Sequence, residues 1–398
     1  MGYLGYKPAD KPLTSADITD SIITSAKIAD GTIVNSDIST TSAITLNKLS
    51  GNPSFRNIVI NGDMQVAQRS TSVASITTNG YYTLDRWQFL NNSLGTFTMS
   101  QSTDVPSGYG FAKSLKLDCT TADASPSAGD YLFINQRIEG QNLQYLKKGT
   151  GNAVSLTASF WVKSTKTGTF ICELWDEDNT RHISKSYTVN TTNTWEFKTV
   201  TFAGDTSGLL DNDNNPSLEL NFWLGAGSNF TSGTLNTSWA SATTANRAVG
   251  QVNCADSTSN DFLITGVQLE AGTSATDFEF LPYDVDLARC QRYFHRIKSG
   301  NSSTGGIIGV GAQEGTTLGY VYVSISPPMR VVPTLTFSSL IVSDSVSFDN
   351  TATVGTINGT GDSIYCGVTF ASAGAQFRTI NLRASTNSSG YFDMSSEL

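Results

Sequence analysis

The stretch that leads up to Tyr283 breaks into ten short apolar runs, each bounded by Gly, Asn, Asp, Ser or Pro: FRNIVINGDM, DRWQFL, SLKLDCT, YLFINQRI, AVSLTASFWVKS, TFICELWDED, KSYTV, WEFKTVTFAG, SLELNFWLGAG and DFLITGVQLE. Runs of this length separated by turn residues read as strands, and this many in one stretch fit a single sandwich better than two small ones. Composition supports this: Gly is plentiful at 35 of 398 residues, only 15% are charged, and strong helix formers are sparse. The chain is therefore expected to be all-β. A central jelly-roll β-sandwich would fill residues 53–283, a short helical connector 284–297, and a C-terminal β-sandwich or barrel 298–398. The last is read from YVYVSI, TLTFSSLIV, SIYCGVTF and FRTINLRAS. Inside the sandwich, EGQNLQYLKKG (139–149) predicts one short helix with Leu143 and Leu146 on its buried side and Gly149 as its stop.

Residues 1–52 have a different texture. SADITDSIIT is followed by SAKIADGTIV and NSDI, so that Ile18, Ile28 and Ile38 are ten apart, as are Ile23 and Ile33. Each unit offers one or two apolar groups, too few to form a core alone. Two readings stand. Copies from parallel chains stack these five isoleucines around a shared axis, making a docking and trimerisation segment; or the segment is a polar tail.

Strand alternation carries the functional reading. In AVSLTASFWV, Val154, Leu156, Ala158, Phe160 and Val162 share one face, which leaves Trp161 opposite; in TFICELW, Phe170, Cys172 and Leu174 leave Glu173 and Trp175 opposite; in LELNFWL, Leu218, Leu220, Phe222 and Leu224 leave Glu219, Asn221 and Trp223 opposite. Trp161, Glu173, Trp175, Asn221 and Trp223 thus sit on polar strand faces. Flat rings beside carboxylate and amide groups suit carbohydrate, since rings stack on sugar C–H faces and polar neighbours bond the hydroxyls. The competing reading is that a loop, a domain or a subunit covers this face. Trp87, Trp195 and Phe197 are expected in the core.

Other chemistries find little support. Lys and Arg total 25 against 34 Asp and Glu, a net charge of −9, which disfavours nucleic acid and anionic membrane as partners. No run of 18 apolar residues occurs and MGYLGYKPADKP lacks an apolar signal core, so membrane insertion and standard secretion are not expected. The five cysteines (119, 172, 254, 290, 366) form no CxxC pair and read as buried thiols of a reducing compartment. With two histidines, His182 and His295, neither a Ser-His-Asp triad nor a zinc site is visible, and no cofactor or metal is expected. DNDNNPSLE (211–219) resembles half a calcium loop but lacks the glycine and glutamate that complete one, so it reads as a polar turn. Glu173, Asp176, Glu177 and Asp178 could supply an acid and a nucleophile for glycoside cleavage, but consecutive acids at a hairpin tip are more often solvated turn formers.

Several motifs in order point to a family. SADITDSIITSAKIADGTIV resembles the N-terminal repeat of tail-fibre and related structural proteins of tailed bacteriophages. NIVINGDMQVAQRSTS, YTLDRWQF, SLTASFWVKSTKTGTF, TWEFKTVTFAGDT and GVQLEAGTSATDFEFLPYDVDLARCQRYF resemble fibre sandwiches similar to galactose-binding-type carbohydrate-binding modules. The resemblance implies a homotrimeric, non-enzymatic fibre of the virion, assembled in the host cytoplasm, docked to phage tail adaptor or nozzle proteins by its N-terminus and binding host surface polysaccharide. A polysaccharide-degrading fibre enzyme, or an architectural tail adaptor or head decoration, are the alternatives.

Overall fold

The computed structural model describes Ile28 and residues 55–298, 306–344, 348–349, 352–370, 376–384 and 390–398. The chain divides into two compact units, residues 1–52 and 53–398. Ile18, Ile23, Ile33 and Ile38 lie outside the described residues; Ile28 is exposed.

Twelve strands make the sandwich, and each strand pairs antiparallel with its neighbours. In the first sheet β1 (Ser72–Ile76), β3 (Thr96–Ser102), β4 (Ser114–Thr121), β12 (Asp261–Ala271), β6 (Leu156–Ser164) and β9 (Glu196–Phe202) lie in that spatial order. In the second the order is β11 (Ala240–Ser241), β8 (Arg181–Val189), β7 (Gly168–Asp176), β10 (Pro216–Ala226), β5 (Tyr131–Glu139) and β2 (Gln88–Asn92). The chain crosses repeatedly between the sheets, as a jelly roll does. Alternation decides what lies between them. Leu156, Ala158, Phe160 and Val162 of β6 meet Leu218, Leu220, Phe222 and Leu224 of β10 in one continuous core. Phe160 sits edge-on to Phe222 at 4.9 Å and to Tyr187 at 5.0 Å. Burying a side chain of this size contributes about 1.5–3 kcal/mol. Trp87 is in this core, as expected from sequence.

Residues 139–149 depart from the expected helix. They form two short 3-10 turns, Gly140–Asn142 and Gln144–Leu146, although Leu143 and Leu146 do reach the core. The reason is local. The Gly140 carbonyl accepts the Leu143 N–H at 3.0 Å, the i→i+3 bond of a 3-10 turn, and the Gln144 side-chain amide at 2.9 Å.

Two α-helices are short: α1 (Ser228–Thr231), in the connection after β10, and α2 (Tyr283–Gln291). Asp284 and Asp286 in the first turn of α2 and Arg289 in its last turn complement the helix dipole. The expected connector thus ends early, and Phe294–Lys298 is a strand, β13. β13, β22 (Tyr391–Ser395) and β16 (Thr334–Ser338) form a three-stranded sheet. A seven-stranded sheet follows the order β18 (Phe348–Asp349), β17 (Leu340–Ser343), β21 (Thr379–Ala384), β14 (Ile307–Gln313), β15 (Leu318–Ser324), β20 (Ser363–Phe370) and β19 (Ala352–Gly359). Its core gathers Val321, Val323, Ile364, Cys366, Leu382 and Phe392. This C-terminal part is bolted to the sandwich. Arg86 pairs with Glu397 and stacks on the Tyr293 ring, its guanidinium carbon 3.5 Å from the centroid, while Arg292 grips Glu139 through Nε and Nη2, both at 2.7 Å. No helix among the described residues is long and apolar enough to cross a membrane. All five cysteines are buried and free.

Candidate functional site: an aromatic cleft on the first sheet

On β6 the core takes every second residue, so Thr157, Ser159, Trp161 and Lys163 share the outer face. β9 extends that face, with Phe197 paired to Trp161 and Thr199 to Ser159. The Trp161 ring lies 5.4 Å from Phe197 and 4.2 Å from Tyr109, which is carried by the β3–β4 connection. Phe278 and Phe280, from the segment after β12, pack on Phe111 at 5.2 and 5.1 Å. Between these rings is a cleft of about 330 Å³, lined also by Ser159, Thr276 and Asp277. Gly266 makes the arrangement fit. It sits at a bulge of β12 with φ +62°, and a Cβ there would lie 2.5 Å from the Phe111 ring.

The cleft rings stay open to solvent: Tyr109 is 56% exposed, Phe197 49% and Phe280 47%. Apolar area of this kind concentrated in one concave place marks a binding surface. Beyond the cleft lining, the same sheet face carries a polar cluster. The Trp195 indole N–H donates to Asp104 Oδ1 at 2.9 Å and Lys163 Nζ to Oδ2 at 2.6 Å. Burial works against ionisation of Asp104, yet these two hydrogen bonds carry its carboxyl below the ordinary value. On the other rim Thr276 Oγ1 donates to Glu270 Oε2 at 2.7 Å. The whole offers ring faces beside oriented donors and acceptors, the combination a pyranose requires.

The five candidate residues fall on two different sheets. Only Trp161 belongs to the open cleft. Glu173, Trp175, Asn221 and Trp223 come together on the outer face of the second sheet, where the segment between β10 and β12 lies across them. Phe230, Leu235 and Ala248 of that segment pack with Trp223 in a small core of their own. Glu173 is fully buried: Arg247 donates to it through Nε and Nη2, both at 2.8 Å, Asn221 Nδ2 at 3.1 Å and Trp223 Nε1 at 3.0 Å, and His182 Nδ1 lies 3.1 Å away. Burial alone would raise this carboxyl; the Arg247 guanidinium and the bonds from Arg247 and His182 hold it at about 2. Glu173, Asn221 and Trp223 are wholly enclosed, and Trp175 is half-buried beneath Arg247, whose guanidinium carbon is 4.3 Å from the ring centroid. An open sugar platform on this face is therefore corrected to a covered polar core. Alternation placed these side chains on the outer face, but it carries no information about the 227–251 segment above them.

Trp195 and Phe197 also differ from expectation, being half-buried and exposed at the cleft rather than in the core. A parity count had the signal: Phe197, Thr199 and Thr201 alternate against Val200 and Phe202. Tyr109, Phe278 and Phe280 had none, because they arrive on connections far apart in the chain. In the acidic hairpin, Asp176 is fully buried on Lys148, which also reaches Asp205 at 3.1 Å. In the 211–219 turn, Asp213 accepts from the Asn215 backbone at 2.9 Å and its side chain at 2.6 Å. Among the described residues no group of three His, Cys, Asp or Glu side chains is placed to hold a metal ion.

The fold and cleft define a two-sheet β-sandwich with a solvent-open aromatic site. No family model and no curated protein matches the chain. Solved structures similar to it include the enzymatically active domain of tailspike protein 4 of bacteriophage CBA120, at 17% identity and TM-score 0.28, matched over 54% of this chain and 21% of that one. Others are TmCBM61 in complex with β-1,4-galactotriose (9%, TM-score 0.28, 54% and 99%) and a family 11 carbohydrate-binding module from Clostridium thermocellum in complex with a β-1,3-1,4-mixed-linked tetrasaccharide (14%, TM-score 0.24, 51% and 98%).

Proposed function

We propose that this protein is a bacteriophage tail-fibre component that binds host surface glycan through the Trp161 cleft and does not cleave it. The observation that carries the glycan reading is the open pairing of Trp161 with Tyr109 and Phe197 in a cleft also lined by Ser159, Thr276 and Asp277. Ring faces take the apolar side of a sugar, and the polar lining takes its hydroxyls. The fibre reading is supported by the N-terminal decapeptide repeat and the order of motifs through CQRYF, which resemble phage fibre proteins. On this reading the isoleucine repeat docks to the tail and joins three chains, so that weak single-site contacts act together through effective concentration.

The test is a tryptophan-fluorescence titration of the full chain with tetraoses of β-linked glucose, xylose and galactose, repeated with Trp161→Ala. Saturable binding that falls at least roughly tenfold in the variant is the expected result, a change of about 1.4 kcal/mol for the lost ring contact. Binding that survives Trp161→Ala removes this cleft from the function, and new reducing ends after incubation would replace binding with cleavage.

A further inference from the structure

A second cleft, of about 410 Å³, opens where α2 meets the end of β5 and the turn after it. In a protein of net charge −9 its lining carries three arginines, Arg137, Arg289 and Arg292, and no carboxylate. Two of these are set in place from behind. Arg292 is held by Glu139 through Nε and Nη2, and Arg137 Nε donates to Glu219 at 2.7 Å, with Glu177 3.6 Å from its Nη2. Arg289 is different: its Nη2 donates to the Asn57 carbonyl at 3.3 Å and its charge acts on Asp286, one turn earlier on α2, but among the described residues no carboxylate grips it as Glu139 grips Arg292. A half-buried guanidinium with so few partners retains donors for an anion. Tyr145, 50% exposed, and Phe55, 63% exposed, add apolar ring surface to the same cleft.

We propose that this cleft binds an acidic sugar residue, its carboxylate on Arg289 and its ring against Tyr145. The guanidinium fork matches a carboxylate in plane and spacing, which a neutral hydroxyl cannot reproduce. The volume lies within the range of small-ligand sites, and the ring surface separates a uronic acid from a bare inorganic anion. The site is distinct from the Trp161 cleft in both residues and charge, and it does not rest on that cleft binding anything.

Calorimetric titration of the full chain with digalacturonate, neutral galactobiose and inorganic phosphate tests this, with Arg289→Met and Tyr145→Ala compared after each is shown to melt cooperatively. Digalacturonate is expected to bind at least roughly tenfold tighter than galactobiose or phosphate, and to weaken as ionic strength rises from about 0.05 to about 0.5 M. Arg289→Met abolishes the preference, and Tyr145→Ala weakens binding of the sugar acid. Equal binding of phosphate and sugar acid, retention of the preference in Arg289→Met, or unchanged sugar-acid binding in Tyr145→Ala would each overturn the assignment.

Discussion

Arg247 clamps Glu173 with both edges of a planar fork, Nε to Oε1 and Nη2 to Oε2 at 2.8 Å each, across a separation of 74 residues. Arg247 belongs to the segment lying over the second sheet, and Glu173 to the sheet beneath it. The pair therefore fastens a cover to a floor. Since Trp223, Asn221 and His182 converge on the same carboxylate, the cover encloses a polar network that is expensive to leave unpaired.

Arg247→Met should destabilise the protein by about 3–5 kcal/mol, because it strands a buried carboxylate rather than removing a whole pair. In the parent, the low Glu173 value contributes stability that is present above about 4.5 and lost as pH falls towards about 2. The variant reverses the sign: without Arg247, burial dominates and raises the carboxyl, so stability recovers as pH is lowered. Urea unfolding of parent and variant at pH 4 and pH 7 measures this, and a variant whose stability gains no more than the parent's between pH 7 and pH 4 would contradict the clamp.

Two other buried carboxyls set an opposite trend in the parent. Burial, reinforced by Glu177 and only partly offset by Arg137, pushes Glu219 up from 4.5 to about 7. Burial also lifts Asp85 from 3.8 to about 6 against the pull of Arg69 and Gln68. Groups raised in the folded state stabilise it most below their unfolded values and lose that contribution as pH climbs through the folded ones, at about 1.4 kcal/mol for each tenfold gain in proton affinity on folding. The melting temperature should therefore decline between about pH 5 and pH 8. Glu219→Gln should flatten the decline, as followed by differential scanning calorimetry; an unchanged slope would show that Glu219 is not its source.

The sandwich and the C-terminal strands should unfold together. Arg86 is 1% exposed, pairs with Glu397 and lies over the Tyr293 ring, so three separate parts of the chain meet at one guanidinium. Glu397→Ala leaves that charge buried without its acid, and a loss of about 3–5 kcal/mol follows. Calorimetry should resolve two transitions in this variant where the parent gives one for residues 53–398. A single sharp transition in both would mean that the junction is held elsewhere.

Alternation alone placed Phe160, Phe222, Cys172 and Leu220 in the core and put Trp161, Glu173 and Trp223 on outer faces, because a strand has a period of two and burial follows it. Helical spacing found Leu143 and Leu146 but not the 3-10 turns around them, since residues three apart face the same side in both kinds of helix. Arginine positions were visible in the sequence, yet nothing local tells that Arg247 faces a buried acid while Arg289 lines an open cleft.

The sequence by itself determined a chain of strands and turns and the inward and outward side of each strand. Tertiary structure alone decided which outward face stays open. Exposure is a property of what packs above a residue, and here that depends on connections arriving from distant parts of the chain: 227–251 closes one sheet, while Tyr109 and Phe280 frame a cleft on the other without filling it.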